Sequence, residues 1–149
     1  MTRRTAYLAT LLALGCGTTS PDTTSPDQRP SPSGGGSLTG TAWVLTEIRG
    51  GPVLGKEEIT LVVDESTGGG NSGCNHYGGT PQITVGTFRL VELVATLRAC
   101  EDARLMDQES DYLAILGQTS AWDIEGDRLE LVTATGDTLV FRASDADAQ

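Results

Sequence analysis

The residues of this chain that could do chemistry are few: three cysteines, a single histidine and a carboxylate within an apolar stripe. Cys74, His76 and Cys100 could ligate a metal, since residues 74 and 76 would share one face of a strand. Cys74 with His76 as its base could instead be a thiol nucleophile, which a disulfide between Cys74 and Cys100 would forbid. A serine hydrolase is disfavoured because His76 is the only histidine and no nucleophile-elbow motif is present. We therefore expect no enzyme, and we expect neither a metal nor a cofactor.

Cys16 follows a segment typical of a bacterial lipoprotein signal. Arg3 and Arg4 precede a short apolar run of residues 6–14, which Gly15 separates from Cys16, and this run is under half of the roughly 20 residues needed to span a bilayer. We predict that residues 1–15 are removed as a signal peptide and that Cys16 is lipidated. We therefore expect the protein to be attached to a membrane through this lipid anchor. Its location should be the extracytoplasmic side of a bacterial cell envelope.

Lipidation of Cys16 would leave Cys74 and Cys100 as a pair. An oxidising compartment outside the cytoplasm favours a disulfide between them. A metal site at Cys74, His76 and Cys100 remains the alternative.

Composition shifts divide the chain into an unfolded leader and one domain. Residues 16–37 contain a duplicated Thr-Thr-Ser-Pro-Asp segment and a run of three glycines, which predicts a disordered tether. Residues 38–143 can bury one core, and residues 144–149 form an acidic tail. The net charge of -10 excludes nucleic acid as a partner, because phosphate backbones need clustered basic residues. We expect a monomer.

Short apolar stretches separated by glycine and acidic turns predict a β-rich domain with antiparallel pairing. The strand candidates are residues 41–48, 59–64, 82–85 and 87–93, followed by a meander of residues 121–124, 128–132 and 138–142. Leu129, Leu131, Leu139 and Phe141 should form the buried face of that meander.

One stretch has helical rather than strand periodicity. Leu105, Met106, Tyr112, Leu113 and Leu116 recur at helical spacing, which predicts a helix over residues 102–116 that ends at Gly117.

Glu109 interrupts the apolar stripe of that helix, so it should face the sheet. A catalytic carboxylate is one interpretation. The commoner one is a carboxylate that caps backbone amides or pairs with Arg98 or Arg104.

The segment around Cys74 resembles the signature of the META domain family, which includes the HslJ-type heat-shock lipoproteins. The matching motif residues are Gly73, Cys74, Asn75, Tyr77 and Gly79, and residues 38–45, 96–100, 106–113, 126–131 and 139–141 follow in the family's order. The resemblance implies an α+β fold, namely a curved antiparallel sheet or half-barrel with one helix packed against it. It also implies a non-enzymatic binding module for an envelope protein or lipid, with a role in envelope stress or integrity.

Two further expectations concern this signature. The family usually has an aromatic residue after Gly79, whereas Thr80 and Pro81 follow here, which predicts that the local strand ends early. A phosphate-holding glycine-rich loop would need a helix N-terminus or a basic residue after it, and neither follows Tyr77. A lipid or acyl-chain groove between sheet and helix is the alternative function.

Overall fold

The structure is a computed structural model that describes residues 36–144. The predicted signal peptide, the lipidation site at Cys16, nearly all of the tether and residues 145–149 of the acidic tail lie outside the described residues. No helix within the described part is both long enough and apolar enough to cross a membrane.

Residues 36–144 form nine strands and one helix. The strands are β1 (Thr41–Ile48), β2 (Gly51–Pro52), β3 (Thr60–Val63), β4 (Gly68–Asn71), β5 (His76–Thr84), β6 (Thr87–Ala95), β7 (Thr119–Glu125), β8 (Arg128–Thr133) and β9 (Thr138–Ala143), and helix α1 (Ala103–Gln118) lies between β6 and β7. All pairs are antiparallel, in the order β6-β5-β4-β3-β1-β9-β8-β7. The predicted α+β fold, a curved antiparallel sheet with one packed helix, is confirmed.

The two edge strands of this sheet approach each other, so the sheet is nearly closed into a barrel. The Trp122 amide of β7 donates to the Gly86 carbonyl beside β6 at 3.3 Å, and the Trp122 indole N–H donates to the Thr84 carbonyl at 3.2 Å. We call this junction the seam. A nearly closed sheet leaves few strand-edge groups free to pair with another chain.

The core lies between the concave face of the sheet and α1. All four predicted meander residues are at most 1% exposed. Tyr112, Ile115 and Leu116 of the helix join the same cluster. Met106, which the periodicity placed in the stripe, is 40% exposed, and its Sδ accepts from the Cys100 amide at 3.2 Å.

Helix α1 begins and ends with side-chain caps. The Asp102 carboxylate accepts from the Arg104 amide at 2.9 Å, which fits its position as N-cap. The helix continues through Gly117 to Gln118, so the prediction that it ends at Gly117 is wrong. Gly117 lies outside the left-handed region, and the Thr119 amide and hydroxyl instead close the last turn on the Leu116 and Ile115 carbonyls.

The strand after the signature does not end early, contrary to the expectation from Thr80 and Pro81. It runs to Thr84, with a register shift against β6 between Gly78 and Thr80. Pro81 lies beyond the last β4–β5 pair, Gly68 with Gly79, where β5 has lost its β4 neighbour and a residue without an N–H is tolerated. Strand β4 was missed because Gly68, Gly69 and Gly70 have almost no β-propensity.

Candidate functional site

The signature residues form the turn between β4 and β5. The Ser72 amide donates to the Asn75 carbonyl at 2.8 Å, and the Gly73 amide donates to Asn71 Oδ1 at 2.7 Å. Gly73 has a φ of 118°, a conformation that favours glycine. Ser72 and Asn75 are buried, whereas His76 is exposed. The turn therefore presents one set of side chains to the core and another to solvent.

Glu109 of α1 is the group that the buried side of the turn surrounds. Glu109 is buried, with only 5% of its surface exposed to solvent. Its Oε1 accepts from Ser72 Oγ at 2.5 Å and from the Asn75 amide at 2.9 Å, and its Oε2 accepts from Asn75 Nδ2 at 2.8 Å. Three donors thus replace the water that this carboxylate gives up on burial.

Glu109 was expected either to cap backbone amides or to pair with an arginine, and in the structure it caps the backbone amide of Asn75. Neither predicted arginine is its partner: Arg104 pairs with Asp102 at 2.8 Å, and Arg98 contributes its backbone to Asn75. The Arg104 ion pair lowers the pKa of Asp102 and raises that of Arg104.

Asn75 also holds the loop that precedes the helix. Its Oδ1 accepts from the Arg98 amide at 2.7 Å and from Thr96 Oγ1 at 2.8 Å, and its Nδ2 donates to the Arg98 carbonyl at 2.9 Å. A buried amide that satisfies both of its polar atoms in this way fixes the loop 96–101 to the turn.

Cys74 and Cys100 are joined by a disulfide that ties the same turn to the same loop. Their Cα atoms are 5.6 Å apart, which is usual for a disulfide. The group of potential metal ligands found in the described residues is Cys74, Cys100 and Glu109, not His76. The two sulfurs are bonded to each other and Glu109 already accepts three hydrogen bonds, so this group in its oxidised form lacks the thiolates that a metal site needs.

Tyr77 and Tyr112 form a second buried polar pair, next to the Glu109 network. Their hydroxyl oxygens are 2.6 Å apart, and Tyr77 donates to the Thr60 carbonyl at 2.8 Å. Tyr112 must therefore donate to Tyr77, because each hydroxyl has one hydrogen. Burial raises the pKa of both hydroxyls.

At position 79, the last of the motif, a glycine is required because the backbone of the neighbouring strand lies very close to it. A Cβ at this position would meet the Val91 carbonyl oxygen at 2.7 Å, which would force β5 and β6 apart. The position thus belongs to the sheet rather than to a ligand site.

The outward side of the turn lines an open cavity, which we call the disulfide groove. It has a volume of about 400 Å³ and lies between the turn, loop 53–57, loop 96–101 and the first half of α1. Lys56, His76, Arg98 and the disulfide are among its lining groups.

The structure brings together most of the predicted site residues, but it adds partners that the sequence analysis missed. Tyr112 and Gln108 had no assigned polar role, and Ser72 was not identified as a partner of Glu109. Lys56 went unnoticed, although it is the only lysine of the chain, a signal that could have been used. The predicted lipidation site, Cys16, lies outside the described residues.

Comparison with known proteins agrees with this architecture. A protein from Burkholderia xenovorans solved by NMR is similar, with a TM-score of 0.60 and 28% identity over 72% of this chain and 83% of that one. A second protein solved by NMR shares the fold, with a TM-score of 0.58 and 24% identity over 68% of this chain and 87% of that one. The comparison with curated proteins found no match.

The family comparison covers the whole described domain. Residues 36–146 match the META domain, and the match includes the turn, Glu109 and both cysteines of the disulfide. The chain therefore belongs to the META domain family.

Proposed function

We propose that this protein is a lipid-anchored META domain of the bacterial cell envelope, and that the domain is a binding module of the HslJ type rather than an enzyme. The observation that carries the proposal is the disulfide between Cys74 and Cys100. It uses two of the three cysteines of the chain and leaves Cys16, at the end of a lipoprotein-like signal, for acylation.

The oxidised pair also supports an extracytoplasmic location, because disulfides persist outside reducing compartments. In that location the tether would hold the domain away from the membrane surface, where an envelope component could reach it. The role in envelope stress or integrity follows from the family resemblance and is part of the proposal.

The chemistry of the turn supports a binding rather than a catalytic role. Cys74 has no free thiol while the disulfide is intact, and Ser72 Oγ contacts Glu109 and the Asn75 carbonyl instead of a histidine. Glu109 is enclosed by its three donors, so it does not face a substrate cavity.

The alternative, an acyl-chain carrier, has less support. The space between sheet and helix is filled by fully buried side chains, among them those of Leu61, Phe88, Leu129 and Leu131. An acyl chain would have to displace these side chains, which would open a cavity at considerable cost.

Substitution of Cys16 tests the anchor. Cys16→Ser should release the protein from the detergent phase or leave it unprocessed, because stable attachment takes more than one acyl chain, and these are built on that thiol. Cys74→Ser, which cannot affect acylation directly, is the matched control and should still partition into detergent. If Cys16→Ser partitions with wild-type mobility, the lipoprotein proposal is wrong.

A further inference from the structure

The disulfide groove is built from loops that are held in place on both sides. Gln108 of α1 pairs its side-chain amide with the backbone of Leu54: the Leu54 amide donates to Oε1 at 2.6 Å, and Nε2 donates to the Leu54 carbonyl at 3.0 Å. Asn75 does the same for the backbone of Arg98. Each loop is thus fixed at its backbone, while its long cationic side chain forms no ion pair within residues 36–144.

The cations of the groove are unlike most others in the domain. Seven of the ten Lys and Arg residues lie in residues 36–144. Four of them, Arg49, Arg104, Arg128 and Arg142, form ion pairs with carboxylates.

The remaining three cations, Lys56, Arg89 and Arg98, form no ion pair within the described residues. Lys56 and Arg98 both line the groove, as does His76. In a chain with a net charge of -10, two unpaired cations at one cavity are a local exception.

The groove also contains acceptors for a ligand. Glu57 and Glu101 are among its lining residues, and neither is in an ion pair within the described part of the chain. An occupant that was only anionic would meet these two carboxylates, so it should also carry hydrogen-bond donors.

We propose that the disulfide groove binds a small ligand that carries an anionic group, either carboxylate or phosphate, together with hydroxyl or ammonium donors. Lys56 and Arg98 hold the anion, and the Arg98 guanidinium has the donor geometry for two parallel hydrogen bonds to it. Glu57 and Glu101 receive the donors. This inference deepens the proposed binding role, and it does not depend on the lipid anchor.

The sequence of the glycine-rich turn contains no lysine or arginine, but Lys56 and Arg98 line the same groove as the turn. Lys56 and Arg98 come from loops on either side of the turn in sequence, and Gln108 and Asn75 fix these loops through the backbones of Leu54 and Arg98. Preorganised loops lose little conformational freedom when a ligand binds.

Titration of the full chain with O-phosphoethanolamine, which carries both a phosphate and an ammonium donor, tests the site, with amide chemical shifts as the readout and the ionic strength held constant to equalise screening. We expect saturable shifts at Lys56, Arg98 and Cys100. Arg98→Gln should weaken binding about tenfold, as removal of a charge-assisted interaction does. This variant keeps the backbone bonds to Asn75, so shifts far from the groove should stay unchanged.

Arg89→Gln is the matched control, because it removes an arginine that lies outside the groove and forms no ion pair within the described residues, and it should leave the binding of O-phosphoethanolamine unchanged. A parallel titration with glycine, which carries a carboxylate and an ammonium group, distinguishes the two anionic groups, and saturation by either ligand supports the proposal. Shifts that saturate with neither ligand, or equal weakening by Arg89→Gln and Arg98→Gln, would overturn it. Membrane partitioning of Cys16→Ser is measured separately, so failure of one proposal is distinguishable from failure of the other.

Discussion

At the scale of single residues, the signature residues are explained mainly by a buried carboxylate and its donors. Glu109 accepts three hydrogen bonds from Ser72 and Asn75. The side-chain amide of Asn75 also bonds the backbone of Arg98 and so fixes the loop before the helix. The Asn-containing turn and the helix therefore stabilise each other through polar contacts rather than through apolar packing.

Glu109→Gln should lower the free energy of unfolding by about 1–3 kcal/mol, the cost of leaving buried polar groups unsatisfied. Both carboxylate oxygens accept from donors, so the new NH₂ group would face a donor in either orientation. Urea unfolding measures the change. Asp107→Asn, which removes the same charge from the exposed face of α1, should change stability by about 0.5 kcal/mol or less; equal effects of the two variants would contradict the buried network.

The buried tyrosine pair predicts a loss of stability at alkaline pH. The pKa values of Tyr77 and Tyr112 are raised in the fold, whereas an unfolded tyrosine ionises near a pKa of about 10. As the pH rises, the unfolded state therefore loses its tyrosine protons before the folded state does. The free energy of unfolding is unaffected by these groups below a pH of about 10 and decreases as the pH rises above that value.

Urea midpoints measured from neutral pH to above about pH 10 should show this fall. The double variant Tyr77→Phe/Tyr112→Phe should show a shallower fall, even if its stability at neutral pH is lower. Identical pH slopes in both proteins would argue against the buried pair.

At the scale of elements, the helix shows how a local pattern can identify an element and misplace its end. Gly117 has the residue type of a C-terminal cap, but the chain passes from α1 into β7 with Thr119 as the cap. The cap forms because the Thr119 hydroxyl and amide satisfy two of the last helical carbonyls.

Gly117→Ala should therefore stabilise the protein by about 0.5–1 kcal/mol, because alanine is the better helix former and restricts the unfolded chain. A Cβ at this position meets no atom within 4 Å. Thermal or urea unfolding checks the sign of the change. Gly126→Ala, at a turn glycine with a φ of 62°, is the contrasting control and should destabilise; a loss of stability in Gly117→Ala would mean that Gly117 has a left-handed conformation.

At the scale of the whole molecule, the sheet limits how the domain can associate with copies of itself. Its edge strands approach each other at the seam, where Trp122 bonds to Thr84 and Gly86. Every copy also carries the same net charge of -10, and like charges oppose association.

We therefore expect the protein, released from any membrane anchor, to be monomeric. Light scattering over a range of concentrations should give one constant mass. Trp122→Phe keeps an aromatic ring but loses the indole donor, and it should lower stability by about 1 kcal/mol without changing that mass. A mass that rises with concentration in the unmodified protein would contradict this prediction.

The sequence by itself determined the elements whose signals are local. Alternation of apolar residues gave the meander of β7, β8 and β9, and helical periodicity identified α1 and placed Glu109 on its inner face. The chain has three cysteines, and assigning Cys16 to lipidation left Cys74 and Cys100 as the pair. These inferences succeed because period, turn residues and cysteine count are properties of nearby residues or of composition.

Only the tertiary structure decided which groups meet. Ser72 and Asn75 lie 37 and 34 residues from Glu109 in sequence, and no pattern within the helix identifies them as its donors. Strand β4 forms from glycines because its neighbours on both sides supply the pairing. The disulfide groove likewise exists because Gln108 and Asn75 hold two distant loops beside one turn, and contacts of such long sequence separation form only when the whole chain is folded.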